Sequence, residues 1–273
     1  MVEIEILEKT EEYMRLIVSG VNVPFVNALR RIMITEVPTM AIDEIVILEN
    51  SSILNDEVLA HRMGLIPLKT DLDTYNLPEE CKCGSEFGCN LCRSNLTLEA
   101  EATDKTLTVY SSELKSENPD IVPVSKKIPI AKLAPEQRIN LEAYARLGKG
   151  KRHAKWQPVS MCTYTHLPEV KVDSENCDAC GKCVKVCPEE ILVNTEDGIK
   201  TQRVIECTLC MDCVDACPKD PPAVDVSWDR NAFVFKIEST GALPPERIVT
   251  EAAKILNKKV KEFSKELKKG IQK

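Results

Sequence analysis

The 273-residue chain is poor in the usual instruments of catalysis. It has only three histidines; His61 lies on a short amphipathic helix and His153 in a basic loop, neither with an obvious nucleophile or carboxylate partner, while His166 precedes a Leu-Pro boundary. No P-loop, no G-x-G-x-x-G run and no paired-carboxylate magnesium motif occurs, which removes the common nucleotide-binding and metal-hydrolase signatures. No catalytic residue is assigned. No apolar run approaches the length that crosses a bilayer, and the opening MVEIEILEKTEEY is acidic, unlike a signal sequence. A cytoplasmic location is expected. The net charge of −7 argues against non-specific nucleic-acid binding by the whole surface.

Cysteine is abundant by contrast, at thirteen residues. In a reducing compartment such a number points to metal rather than disulfides. Eight form a ladder: Cys177, Cys180, Cys183 and Cys187 with Pro188, then Cys207, Cys210, Cys213 and Cys217 with Pro218. Each half reads C-x2-C-x2-C-x3-C-P, the run of two-cluster bacterial ferredoxins, in which each half's fourth cysteine ligates the other half's cluster. On that pattern Cys177, Cys180, Cys183 and Cys217 hold one [4Fe–4S] cluster, and Cys207, Cys210, Cys213 and Cys187 the other. A zinc framework would leave the triplets and their matched prolines unexplained. Four more cysteines, Cys81, Cys83, Cys89 and Cys92, fall within twelve residues and suit a tetrahedral zinc knuckle, with Gly84 and Gly88 allowing tight turns. A redox-labile dithiol pair is the alternative there. Cys162 reads as a buried apolar packer.

Along the chain, Val2, Ile4 and Ile6 alternate with glutamates, and Met14, Leu16 and Val18 alternate after a polar turn, which predicts a hairpin. Asn22 caps a predicted helix through PFVNALRRIMITEV, whose stripe is Phe25, Leu29 and Ile32, flanked by Val26 and Met33. AIDEIVIL reads as a strand, 55–63 as a short helix, and LTLEAEA and TLTVYSSEL as strands. IAKLAPEQRINLEAYARLGKGKRHAKWQPV reads as turn, short helix and basic loop, with Arg146, Lys149, Lys151, Arg152 and Lys155 as its one dense positive patch. A hairpin signal at Asp197-Gly198 separates the halves of the ladder. AFVFKIE is a strand, and a long helix over 245–269 places Ile248, Ala252, Leu256, Val260, Phe263 and Leu267 on one narrow seam. That seam packs either on its own domain or on another subunit.

NALRRIMITEVPTMAI, HRMGLIPL and GKGKRHAKWQPV, in that order, resemble the signature of the α-like assembly subunits of RNA polymerase. The ladder narrows the resemblance to the archaeal members, the D-type subunits. The resemblance implies an α+β fold with an α-subunit N-terminal-type dimerisation domain, formed by 1–44 plus 227–273. A β-rich domain is inserted at 45–168, carrying the cysteine loop 81–92, and a ferredoxin-like iron–sulfur domain at 169–226. It also implies a non-catalytic subunit of DNA-directed RNA polymerase that pairs with a smaller L-type subunit and then seats subunits N and P and the second-largest subunit. Sequence-specific DNA binding is not expected, nor is a membrane partner. The basic loop is expected to touch protein. A competing reading takes the complete ladder at face value, as a ferredoxin-like electron-transfer subunit of an oxidoreductase, although no flavin, nicotinamide or molybdenum-type site accompanies it.

Overall fold

A computed structural model describes residues 1–85 and 88–271. The fold is mixed α+β. In chain order it comprises β1 (Glu3–Lys9), β2 (Tyr13–Ser19), α1 (Val23–Thr35), β3 (Pro38–Asn50), α2 (Asp56–Gly64), β4 (Arg93–Glu101), β5 (Leu107–Tyr110), β6 (Lys115–Ser116) and β7 (Pro129–Leu133). Then follow β8 (Arg138–Lys149), β9 (Val159–Val172), α3 (Lys182–Val186), β10 (Leu192–Thr195), β11 (Gly198–Thr201), α4 (Asp212–Asp215), β12 (Val224–Ser239) and α5 (Pro245–Ile271). Among the described residues no helix is long and apolar enough to cross a membrane.

The chain forms two compact units. The first contains Met1–Glu8, Arg15–Val26 and Thr163–Lys236. It holds most of a four-stranded sheet of order β1-β2-β12-β9, together with the whole cysteine ladder. Met14, Leu16 and Val18 are buried on one face of β2, as their alternation predicts, whereas all of β1 is exposed at the sheet edge. In β12, Phe233 and Phe235 are buried, but so is Val234 between them, so this strand is covered on both faces. β10 and β11 form the predicted hairpin, with Thr195 opposite Gly198 and the turn at Glu196-Asp197.

The second unit contains Lys9–Met14, Asn27–Cys162 and Ile237–Lys273. Its sheet runs β3-β8-β4-β6. Here the structure corrects the sequence reading: 138–149 is not a short helix but a strand of 12 residues at the centre of the sheet, paired antiparallel with β3 and β4. Leu-Glu-Ala-Tyr-Ala-Arg are good helix formers one by one, but propensity is a weak prior. Ile139, Leu141, Ala143, Ala145 and Leu147 recur at period two and are all buried, and two strand partners decide for β. Pro38 opens β3 at a position where a missing N–H is tolerated. The core beneath the sheet gathers Met40, Leu59, Met63, Leu68, Leu96, Leu98 and Ile121, each at most 1% exposed.

Asn22 accepts the Phe25 N–H at 3.1 Å, so the predicted cap of α1 is made. Of its stripe, Leu29 and Ile32 are buried with Val26 and Met33, while Phe25 stays 41% exposed. In α5 only Pro245, Ile248 and Ala252 are buried. Val260, Phe263, Leu267 and Ile271 are 52–77% exposed.

Candidate metal centres

The early cysteine loop begins with a 3-10 turn at Pro78–Glu80 and ends where β4 starts. The Cys92 and Arg93 N–H groups both donate to the Cys89 carbonyl at 2.9 Å, and the Cys89 N–H donates to Cys92 Sγ at 3.1 Å. This curl turns the Cys89 and Cys92 thiols to one side. Gly84 and Gly88 have φ of 62° and 78°, and a Cβ on Gly88 would stand 3.2 Å from Cys92 Sγ. Both glycines are therefore conformational requirements. The four sulfurs lie within 4.8 Å of one another, with Cys81–Cys89, Cys83–Cys92 and Cys89–Cys92 separations of 3.7, 3.9 and 3.8 Å. The quartet could hold a metal ion. The backbone N–H of Ser85, followed by the Cys81 thiol, brings the Cys83 thiol down to about 7, while burial pushes Cys92 up to about 12.

The two halves of the ladder repeat in conformation as well as in sequence. Ala179 and Gly181 have φ of 52° and 70°, and Leu209 and Met211, thirty residues later, have φ of 60° and 69°. Left-handed backbone at three non-glycine residues costs about 1–2 kcal/mol each, so the curl serves something. Left-handed residues alternating with ordinary ones turn successive N–H groups inward, an arrangement common around iron–sulfur sites. Short helices α3 and α4 follow each curl and bury Cys183 and Cys213. Cys187, Cys207, Cys210 and Cys213 line one cavity, closed by Val170, Ile191, Leu192 and Val226. Burial, then the neighbouring Cys187, Cys207 and Cys210, push Cys213 up to about 11. Burial likewise raises Cys183, with Cys177 and Cys180 adding to it. The fourth cysteine of each half accepts a backbone N–H: Cys187 Sγ from Ile191 at 3.4 Å, Cys217 Sγ from Ala223 at 3.3 Å. Cys162 stands apart, 6% exposed and pushed up to about 12 by burial.

The basic loop is only partly a surface patch. β3 and β8 change register between Ile42 and Glu44, so Asp43 is the extra residue of a bulge and its side chain is re-aimed. It pairs with Arg146 and with Lys155, whose Nζ lies 2.5 Å from Asp43 Oδ1 and donates to the Ile42 carbonyl at 3.0 Å. Burial pushes the Asp43 carboxyl up, but the two cations outweigh it and hold it below the usual range. Trp156, 1% exposed, donates to the Arg146 carbonyl at 3.2 Å and stacks so closely on Gly148 that a Cβ there would fall 2.3 Å from the ring. Two of the five basic residues are thus consumed internally. The bulge has no local signal in the sequence; the pairing of Asp43 with residues about a hundred positions away is invisible until β3 meets β8.

The fold is an α+β scaffold with a cysteine quartet that could hold a metal and a long terminal helix left half uncovered. The family description "RNA polymerase Rpb3/Rpb11 dimerisation domain" matches residues 15–260, and the chain belongs to this family. It is 41% identical to DNA-directed RNA polymerase subunit Rpo3 of Pyrobaculum arsenaticum over 269 residues, 98% of this chain and 96% of that protein. It is 40% identical to the Rpo3 of Methanosphaera stadtmanae over 94% of this chain and 95% of that one. Against the Rpo3 of Archaeoglobus fulgidus the figure is 39%, over 97% of each. The relatives bear the name Rpo3 where the sequence suggested a D-type designation; the α-like kind of subunit stands.

Proposed function

We propose that this chain is a non-catalytic assembly subunit of an archaeal DNA-directed RNA polymerase. The observation that carries this is similarity at about two residues in five, over nearly the full length of both chains, to proteins named as that enzyme's Rpo3 subunit. The uncovered apolar seam of α5 supports a dimerisation role, since a narrow seam on an exposed helix needs a partner. The partner is a smaller L-type subunit, and the pair seats subunits N and P and the second-largest subunit in the cytoplasm. The electron-transfer reading is set aside, because no observation beyond the ladder favours it.

The chain would divide into 1–44 plus 227–273, 45–168 and 169–226, the last as an iron–sulfur domain. Two [4Fe–4S] clusters would be held by Cys177, Cys180, Cys183 and Cys217, and by Cys207, Cys210, Cys213 and Cys187. The donor set fits: the fourth thiol of the first half lines the cavity of the second triplet. Bound clusters would cross-link the two halves through their thiolates. For Cys81, Cys83, Cys89 and Cys92 we favour a structural zinc. Tetrahedral Zn–S bonds of about 2.3 Å set sulfurs about 3.8 Å apart, close to the separations found. Anaerobic co-expression with the L-type subunit, followed by size exclusion and metal analysis, tests the reading. A stable heterodimer with about eight irons per chain is expected. A chain that stays monomeric would refute the assembly role.

A further inference from the structure

Arg15 lies on β2 at a position out of step with the buried Met14, Leu16 and Val18, yet its side chain is only 12% exposed. Its guanidinium pairs with the Glu206 carboxylate, and Nη2 donates to the Ile205 carbonyl at 3.1 Å. Glu206 ends a 3-10 turn, Val204–Glu206, and is followed directly by Cys207. The same stretch is braced from the other side. The Gln202 N–H donates to the Ile191 carbonyl at 2.8 Å, Gln202 Nε2 to the Glu190 carbonyl at 2.9 Å, and Arg203 Nη2 to the Glu189 carbonyl at 3.2 Å. All three acceptors follow shortly after Cys187. The 202–206 stretch therefore joins Cys187 to Cys207, and Arg15 fastens it to the hairpin.

The first triplet is held differently. The Asp173 N–H donates to the Ala223 carbonyl at 2.8 Å, Asn176 Nδ2 to the Pro221 carbonyl at 2.9 Å, and Lys219 lies 3.4 Å from Asp178. None of these groups belongs to the hairpin. A general adhesive would have no reason to favour one quartet. A two-point grip by a guanidinium, whose Nε is buried without a partner among the described residues, is costly unless its geometry matters.

We propose that Arg15 is a positioning residue for the second cysteine quartet, presenting Cys207 to Cys187, Cys210 and Cys213 and tying that quartet's occupancy to the β1–β2 hairpin. The inference rests on the iron–sulfur reading of the ladder. Linkage is reciprocal: whatever occupies the quartet stabilises the grip, and the grip stabilises what is bound.

The test uses the full-length chain, reconstituted anaerobically with iron and sulfide, as wild type, Arg15→Met, Arg15→Lys and Glu206→Gln. Iron release to a ferrous chelator is followed in time, and amide exchange of 13–19 is compared in loaded and stripped protein. In Arg15→Met and Glu206→Gln, half of the iron should leave about tenfold faster, as expected for losing one charge-assisted hydrogen bond. The other half should keep the wild-type rate. Arg15→Lys should fall between, having the charge without the fork. Cys210→Ser should abolish the fast phase, and stripping iron should raise exchange in β2. Equal acceleration of both halves in all three variants, or no acceleration, overturns the inference while leaving the clusters intact. A wild-type chain that takes up no iron overturns the iron–sulfur reading, and this inference with it.

Discussion

Asp43 is the acidic residue on which the internal pairing of the basic loop converges. It is 12% exposed, with Arg146 and Lys155 converging on it. Its carboxyl is held below the ordinary value of 3.8, so its contribution is complete above that pH and is lost as pH falls through the lowered folded value. Asp43→Asn would leave two cations short of a partner, at about 2–3 kcal/mol, below the fully buried range because Arg146 remains a quarter exposed. Urea unfolding should show that deficit near neutral pH and show it shrinking in acid, since wild type loses the same pair when Asp43 protonates. A deficit that persists unchanged in acid would mean the effect is not ionic. At this scale the sequence was partly legible. The glycines of the early cysteine loop announced their role, because φ > 0 suits few residue types, and the spacing of the thiols marked them as candidate ligands. Arg15 and Asp43 did not, because a charged residue on a strand is ordinary until its distant partner arrives.

Among the elements, α5 shows the largest separation between what holds the chain together and what remains free. Its first turns are anchored by Ile248 and Ala252, and Lys259 pairs with Glu36. Beyond that, Phe263 is 69% exposed. Phe263→Asp should therefore leave the isolated chain's unfolding within about 0.5 kcal/mol of wild type. Pairing with the L-type subunit should weaken by about 2 kcal/mol or more, as for an aromatic anchor at an interface. Isothermal titration would measure it, and unchanged affinity would remove α5 from the interface. Helix α5 was legible because its seam repeats over many turns. Strand β8 was misread because most of its residues favour helices one by one and outweighed its period-two alternation, which pairing on both edges makes decisive.

For the whole molecule, the order of unfolding follows from where the apolar core lies. The unit containing β3, β4 and β8 has its own large core, whereas the ladder's apolar cluster is small and shares its members with the cysteines. If the ladder holds iron, as proposed, its removal by a chelator should raise amide exchange across 170–226 first, while the β3-β8-β4 core stays protected. Variants lacking ladder cysteines should still pair with the L-type subunit but assemble into polymerase with lower yield or thermal stability. Normal assembly by iron-free variants would show the clusters to be dispensable. The family and the candidate ligand spacing were legible in one dimension, because thiol spacing, proline punctuation and helical seams are local patterns. Three-dimensional pairing alone reveals which basic residues are spent on Asp43 and that Arg15 reaches Glu206. These depend on residues from about a hundred to about two hundred positions apart being brought together, and no short-range pattern encodes that.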